Sequence, residues 1–212
     1  MREGMKVFVE SLEGFVCVWQ AGSASEAIDQ VSRDAPDVLI VDISLPDRNG
    51  IELIKDIHAI HPEIAVLVVS MHEEVLYAER VLKAGAKGYL MKNAPHDAFE
   101  SSLRRVSSGG IAVSQEMSER VLMAYSGGSR PRPQTGLHTL SDREFEIFQL
   151  FGEGKSTHRI AEDLRISTKT VDVHRMNLKN RLGLEDGAAL TRYAIQWVES
   201  RKHGLSLGEP RE

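Results

Sequence analysis

The sequence predicts an α/β domain, a doubly wound parallel sheet, followed by a small all-α domain of four helices. Three observations predict it. Up to Gly110, short continuous apolar runs alternate with apolar residues at helical spacing. The stretch Ser126–Thr139, SGGSRPRPQTGLHT, then breaks every periodicity. Beyond it only helical spacings occur. Apolar runs without alternation are strands covered on both faces, as in parallel sheets flanked by helices. Such sheets collect function at the carboxyl ends of their strands.

The elements follow in order. Phe15–Trp19 reads as a short strand. Ser23-x-x-Glu26 is a capping-box signal for a helix with Ala27, Ile28 and Val31 on its inner face. Val38–Val41 is a buried strand ending at Asp42. Ile51, Leu53, Ile54 and Ile57 mark a helix. Ala65–Val69 is a second buried strand, ending at Ser70. Val75, Ala78, Val81 and Leu82 mark a helix stopped by Gly85. Gly88–Met91 is a further strand, ending at Lys92. Ala98, Leu103 and Val106 mark a helix closed by Gly109-Gly110. In the second part, Ser141-x-x-Glu144 is another capping box, ahead of Phe145, Ile147, Phe148, Leu150 and Phe151. Ser156 opens a short helix with Ile160, Ala161 and Leu164. Ser167 or Thr168 opens a longer one, stopped by Gly183. The last carries Ala189, Leu190, Tyr193, Ala194 and Trp197. The division is a first domain at 1–112, a linker at 113–139, a helical domain at 140–203 and a tail at 204–212.

The 212 residues contain one cysteine, Cys17, which excludes an internal disulfide and fits a reducing cytoplasm. The longest apolar runs fall far short of the ~20 residues of a membrane span. No signal segment opens the chain, so a cytoplasmic protein without a membrane partner is expected. The net charge is −5. Residues 1–129 hold 12 Lys+Arg against 19 Asp+Glu, a net −7, and residues 130–212 hold 14 against 12, a net +2. A polyanionic partner therefore points to the second part.

Asp42, Ser70 and Lys92 each end a predicted strand, so a carboxylate, a hydroxyl and an ammonium converge on one edge of the sheet. Any one of them alone is an ordinary polar strand end. Together they suit phosphoryl chemistry: the carboxylate can carry a phosphoryl group, and the other two can contact its oxygens. The stretches PDVLIVDISLPDRNGIELI, LVVSMHEE and AGAKGYLMKNA resemble the motifs of a receiver domain. This resemblance implies a flavodoxin-like sheet, with Asp42 as phosphoacceptor, Ser70 as the switch hydroxyl and Lys92 as the phosphate-contacting lysine. Tyr89 matches the aromatic that rotates with the hydroxyl. Mg²⁺ is implied too, held by Asp42 and the backbone carbonyl of Ser44, while Pro46 and Asp47 shape the loop after Asp42.

One departure matters. Receivers begin with a central strand followed by an acidic pair that binds Mg²⁺. This chain opens at MREGMKVFVESL, which resembles the helix after that strand, and Glu3, Glu10 and Glu13 do not match the acidic pair. Loss of that strand should leave a gap in the sheet. Two explanations stand: a start at an internal methionine of a longer protein, which the intact downstream motifs favour, or a degenerate receiver working without phosphorylation.

LSDREFEIFQLFGEGKSTHRIAEDLRISTKTVDVHRMNLKNRLGL resembles the helix-turn-helix of the LuxR/FixJ (NarL) type, whose second helix enters the DNA major groove. That helix is expected from about Ser167 to Leu182. Val171, Leu178 and Leu182 face the core, leaving the other positions, Arg175 among them, to solvent or DNA. The resemblance implies that Asp172, Val173 and Met176 lie nearest base edges, and that Lys169, Thr170, His174 and Lys179 meet phosphates. Asp172 departs from relatives that carry a cation there. The last helix pairs DNA-binding domains in the family, although Trp197 at helical spacing reads first as core.

The expected function is that of a two-component response regulator. A sensor histidine kinase phosphorylates Asp42, and the helix-turn-helix binds double-stranded DNA as a homodimer. A phosphorylation-independent regulator is the nearest alternative. An enzyme using Asp42 as covalent nucleophile fits less well, since Ser44 stands where such enzymes carry a second Asp.

Overall fold

The computed structural model describes residues 2–126 and 136–202. Two compact units emerge, Met1–Glu119 and Arg120–Glu212. In the first, the order is α1 (Arg2–Ser11), α2 (Ala24–Arg33), β1 (Val38–Val41), α3 (Gly50–Ile60), β2 (Ala65–Ser70), α4 (Glu74–Lys83), β3 (Gly88–Met91) and α5 (His96–Ser107). The three strands form one parallel sheet in the order β1-β2-β3. Val38 pairs with Ala65 and Val41 with Val68, and Ser70 pairs with Met91. Ala112 adds a short parallel bridge at Gly88.

Side chains alternate across a strand. Leu67 and Val69 of β2 therefore point to one face, where they pack with Val9 of α1, with Leu12 just beyond it, and with Phe99, Leu103 and Val106 of α5. Val66 and Val68 point to the other and are equally buried. α2 packs on α3, and α3 on α4. α2 begins after Ser23, and α4 and α5 end just before Gly85 and Gly109, as the sequence signals placed them. Ser23 caps α2 by accepting from the Glu26 amide, while Glu26 accepts from Gly22 rather than from Ser23, so the expected capping box forms only in half.

Phe15–Trp19 is not a strand; residues 15–20 carry no regular structure. The reason is pairing. Among the described residues the sheet has no strand beside β1 on its outer edge, and a lone extended segment has no ladder to join. Val16 and Val18 are consequently exposed.

Helix α6 (Gln115–Ser126) lies inside the stretch 113–139 expected as linker. Ser114 opens it, its hydroxyl accepting from the Met117 amide at 3.1 Å. The Gly- and Pro-rich residues 127–135 and the tail 204–212 lie outside the described residues.

The second unit continues with a 3₁₀ turn (Leu137–Thr139), α7 (Asp142–Gly152), α8 (Thr157–Asp163), α9 (Thr168–Arg181) and α10 (Gly187–Lys202). Its core joins Phe145, Phe148 and Phe151 of α7 to Ile160, Val171, Leu178, Leu190 and Ala194. Trp197 packs edge-on against Phe145 and Phe148, with ring centroids 5.5 and 5.7 Å away, so it is a core residue of this unit.

Leu103 is 1 % exposed in the α1–α5 cluster. Leu103→Ala should destabilise the first unit by about 2–5 kcal/mol, read as a lower denaturant midpoint of its unfolding transition with that of the second unit unchanged.

Candidate functional site

The register of the sheet builds the first cluster. Asp42 directly follows Val41, Ser70 ends β2, and Lys92 directly follows Met91, so all three stand at the carboxyl edge. The Lys92 amide extends the ladder by donating to the Ser70 carbonyl at 2.8 Å. The Lys92 ammonium donates to Asp42 Oδ2 at 2.5 Å. This ion pair is largely sheltered, the lysine side chain being 13 % exposed and the aspartate 30 %. Asp42 Oδ1 accepts from the Ser44 amide at 3.2 Å. The carboxylate is thus held at both oxygens while staying within reach of solvent.

Ser70 is fully buried and its hydroxyl accepts from the His72 amide at 3.2 Å. Tyr89 is 2 % exposed and donates to the His72 carbonyl at 2.7 Å. Its ring is turned inward. Burial, with Glu74 and Asp42 nearby and against a hydrogen bond with Ser70, pushes its phenol above the usual range. His72 is a residue the sequence reading passed over. Its ring meets the Ser44 hydroxyl at 3.0 Å and stacks on Tyr77 at 4.7 Å. It therefore joins the loop after Asp42 to Ser70 and Tyr89. The only sequence signal for it was its place two residues after Ser70.

The loop from Asp42 to α3 is braced at both ends. Asn49 caps α3 by accepting from the Ile51 amide at 2.8 Å. A Cβ on Gly50 would stand 2.2 Å from the Asp42 carbonyl, so only glycine lets α3 start this close to Asp42. Asp47 reaches across to the first turn of α2, accepting from the Ala24 and Ser25 amides, each at 2.9 Å, and from the Ser25 hydroxyl at 3.0 Å. It thus fills the anion seat of a helix N-terminus.

Receiver domains generally take Mg²⁺ for phosphorylation. Asp42 and the Ser44 carbonyl would supply two of its oxygen ligands. Among the described residues no group of three or more His, Cys, Asp or Glu side chains is placed to hold a metal, and a hard dication needs several oxygen ligands.

The second cluster lies on α9. Ser167 caps it, accepting from the Thr170 amide at 3.0 Å and meeting the Thr170 hydroxyl at 2.8 Å. The turn from α8 closes through Arg165, whose φ of 53° puts it in the seat that glycine takes after other helices. Val171 and Leu178 are fully buried, whereas Lys169, Thr170, Asp172, Val173 and Met176 are exposed and Lys179 is half-buried. Two residues of this helix turn inward. Arg175 donates to the Gly187 carbonyl at 3.1 Å and lies over the Phe151 ring, so it ties α9 to α10 and α7 instead of remaining for solvent or DNA. His174 is half-buried. Burial and the nearby Arg143, against Glu144, lower its pKa, so it is neutral near pH 7. It can meet a phosphate as a hydrogen-bond donor but not as a full cation.

A three-stranded parallel sheet flanked by helices in one unit and a capped helix-turn-helix in the other define a class, and the comparisons with known proteins agree. Residues 1–104 match the response regulator receiver domain, and residues 138–194 match the bacterial regulatory proteins of the luxR family. The chain belongs to the response regulators that combine these two domains. It is 31% identical to the transcriptional regulatory protein DegU of Brevibacillus brevis, across 94% of this chain and 91% of that one. It is 28% identical to the response regulator UvrY of Escherichia coli K12, across 99% and 92%. Among solved structures it resembles RcsB of Salmonella enterica serovar Typhimurium bound to promoter P1flhDC with the phosphomimetic BeF3-, at a TM-score of 0.57 and 26% identity over 92% of this chain and 93% of that one. Among the described residues no helix is long and apolar enough to cross a membrane.

Burial would raise the pKa of Asp47, but the hydrogen bonds from Ala24 and Ser25 bring it down to about 2 from an ordinary 3.8. A depressed carboxyl stabilises the fold above its unfolded pKa and loses that contribution as pH falls through the folded one. The wild type should therefore lose stability from about pH 4 to about pH 2, by no more than about 1 kcal/mol for so exposed a group. Asp47→Asn should lack that component in acid titrations of the unfolding midpoint. Equal acid sensitivity in the two proteins would show that Asp47 contributes nothing.

Proposed function

We propose that the chain is a DNA-binding transcription regulator of a two-component system, acting in the cytoplasm as a homodimer on double-stranded DNA and not as an enzyme. The observation that carries this reading is the outward side of α9. A capped helix held by Val171 and Leu178 presents Lys169, Asp172, Val173 and Met176 to solvent, with Lys179 half-buried beside them, the arrangement by which a recognition helix reads a major groove. Lys169, Thr170 and Lys179 meet phosphates, and His174 adds a neutral donor. Asp172, Val173 and Met176 meet base edges.

We further propose that Asp42 accepts a phosphoryl group from a sensor histidine kinase. What supports this is its carboxylate on the Lys92 ammonium, with the Ser70 hydroxyl and Tyr89 joined through His72. A carboxylate oxygen attacks phosphorus as the phosphorus–nitrogen bond to the kinase's histidine breaks and the imidazole leaves, and Lys92 then offsets the charge added at Asp42. Ser70 and Tyr89 have hydrogen bonds that reorganise once a phosphoryl group competes for the hydroxyl, and the change passes to the surface of β3, α4 and α5. A second reading, control without phosphorylation, is favoured by one observation: among the described residues no group of three or more His, Cys, Asp or Glu side chains is placed to hold a metal.

Two measurements follow. In band shifts with promoter DNA, Lys169→Ala combined with Lys179→Ala should weaken binding and lower the slope of log affinity against log salt by about 2. Equal affinity and slope in both proteins would exclude this face as the DNA contact. Intact mass after incubation with acetyl phosphate and Mg²⁺ should show one added phosphoryl group on the wild type and none on Asp42→Asn. A folded wild type that gains nothing would leave the phosphorylation-independent reading.

A further inference from the structure

The buried residues Val171 and Leu178 fix the inward side of α9. At 3.6 residues per turn, Lys169, Val173, Met176 and Asn180 run along the opposite side, with Asp172 beside them. Lys169, Asp172, Val173 and Met176 are neighbours at spacings of three and four. Val173 is 46 % exposed and Met176 55 %, and among the described residues from 136 to 202 no other large apolar side chain is exposed. Asp172 is exposed, and its carboxylate has neither hydrogen bond nor ion pair among the described residues. The outward side of this helix therefore carries two exposed apolar side chains and one uncommitted carboxylate beside Lys169, where a phosphate-binding surface alone would carry cations.

We propose that Asp172, Val173 and Met176 set the DNA sequence this chain selects: a C·G pair read by Asp172 through cytosine N4, with thymine close by, its methyl group packed on Val173 and Met176. The inference rests on α9 entering the major groove. A carboxylate only accepts hydrogen bonds, and in the major groove only cytosine N4 and adenine N6 donate. Adenine N6 stands between two acceptors, its own N7 and the O4 of the paired thymine. Cytosine N4 has an acceptor on one side only, so it repels a carboxylate less. Guanine N7 and O6 and thymine O4 are acceptors and reject it. The thymine methyl is the apolar feature of that groove. From Asp172 to Met176 the helix rises about 6 Å, and base pairs repeat about every 3.4 Å, so the thymine lies within about two base pairs of the cytosine. Lys169, exposed and unpaired among the described residues, offsets the charge of Asp172 near the phosphates.

The test is selection of duplexes from a randomised DNA library by the full chain, its Asp172→Asn variant and its Asp172→Ala variant, with the retained duplexes sequenced. Asp172 is exposed and unpaired, so both variants should keep the fold. The wild type should select a half-site holding a cytosine with thymine within about two base pairs. Asp172→Asn should move that position to adenine, which asparagine contacts at N6 and N7. Asp172→Ala should lose the preference at that position alone, with roughly 5- to 100-fold weaker binding to the wild-type site. A wild-type motif without the cytosine, or a cytosine preference unchanged in both variants, overturns the inference and leaves DNA binding standing. Retention of no duplex by any of the three overturns the DNA reading itself and this inference with it.

Discussion

The register of the β1-β2-β3 sheet is the constraint on which the first unit depends. Parallel pairing of Val41 with Val68 and of Ser70 with Met91 brings three residues, up to fifty positions apart in sequence, to one edge. A slip of one residue in any strand would exchange its two faces and carry its terminal polar residue away from the others. The slip is prevented by burial. Leu67 and Val69 belong to the cluster with α1 and α5, Val66 and Val68 are buried on the opposite face, and neither pair can move to the other side without leaving its packing. The Lys92–Asp42 ion pair is a consequence of that register. Its desolvation is tolerable because each charge has a partner and the carboxylate also accepts from Ser44.

Around this edge the loop from Asp42 to Asn49 is shaped more by backbone hydrogen bonds than by packing. Gly50 donates to the Ile43 carbonyl at 2.8 Å and admits the Asp42 carbonyl where any side chain would collide. Asp47 fastens the same loop to α2, and His72 fastens it to the end of β2. Phosphoryl chemistry at Asp42 would thus act on a loop with contacts to two neighbouring elements and to the hydroxyl of Ser70. Such a loop can change hydrogen-bond partners without disturbing the core.

The second unit is organised by its caps. Ser141 and Glu144 satisfy each other's backbone amides at the start of α7, Ser156 opens α8 and Ser167 opens α9. Short helices are marginal by themselves, so capping and a shared aromatic core decide their lengths and angles. Arg181 adds a tie from the end of α9, donating to the Thr139 carbonyl at 2.7 Å and pairing with Glu144. Cations spent on such ties are not available to a nucleic acid; among the described residues of α9, Lys169 and Lys179 carry no such tie.

Much of this was legible in the amino-acid order because it rests on local signals. Periodicity marked the helices, continuous apolar runs marked β1, β2 and β3, and the polar residues closing those runs identified Asp42, Ser70 and Lys92. Ser–x–x–Glu spacing and terminal glycines located helix ends to within a residue or two. Phe15–Trp19 was misread because strand propensity is local, whereas a strand exists only if a neighbour supplies hydrogen bonds. Helix α6 was hidden by its closeness to a Gly- and Pro-rich stretch. The inward turn of Arg175, the half-burial of His174, the anchoring of Asp47 and the bridge through His72 all depend on residues distant in sequence. The sequence by itself determined which segments become helix or strand and which chemistry ends each strand. Only the tertiary structure decided which polar side chains are used up holding elements together and which stay open to a partner, because that choice is made by contacts across the fold.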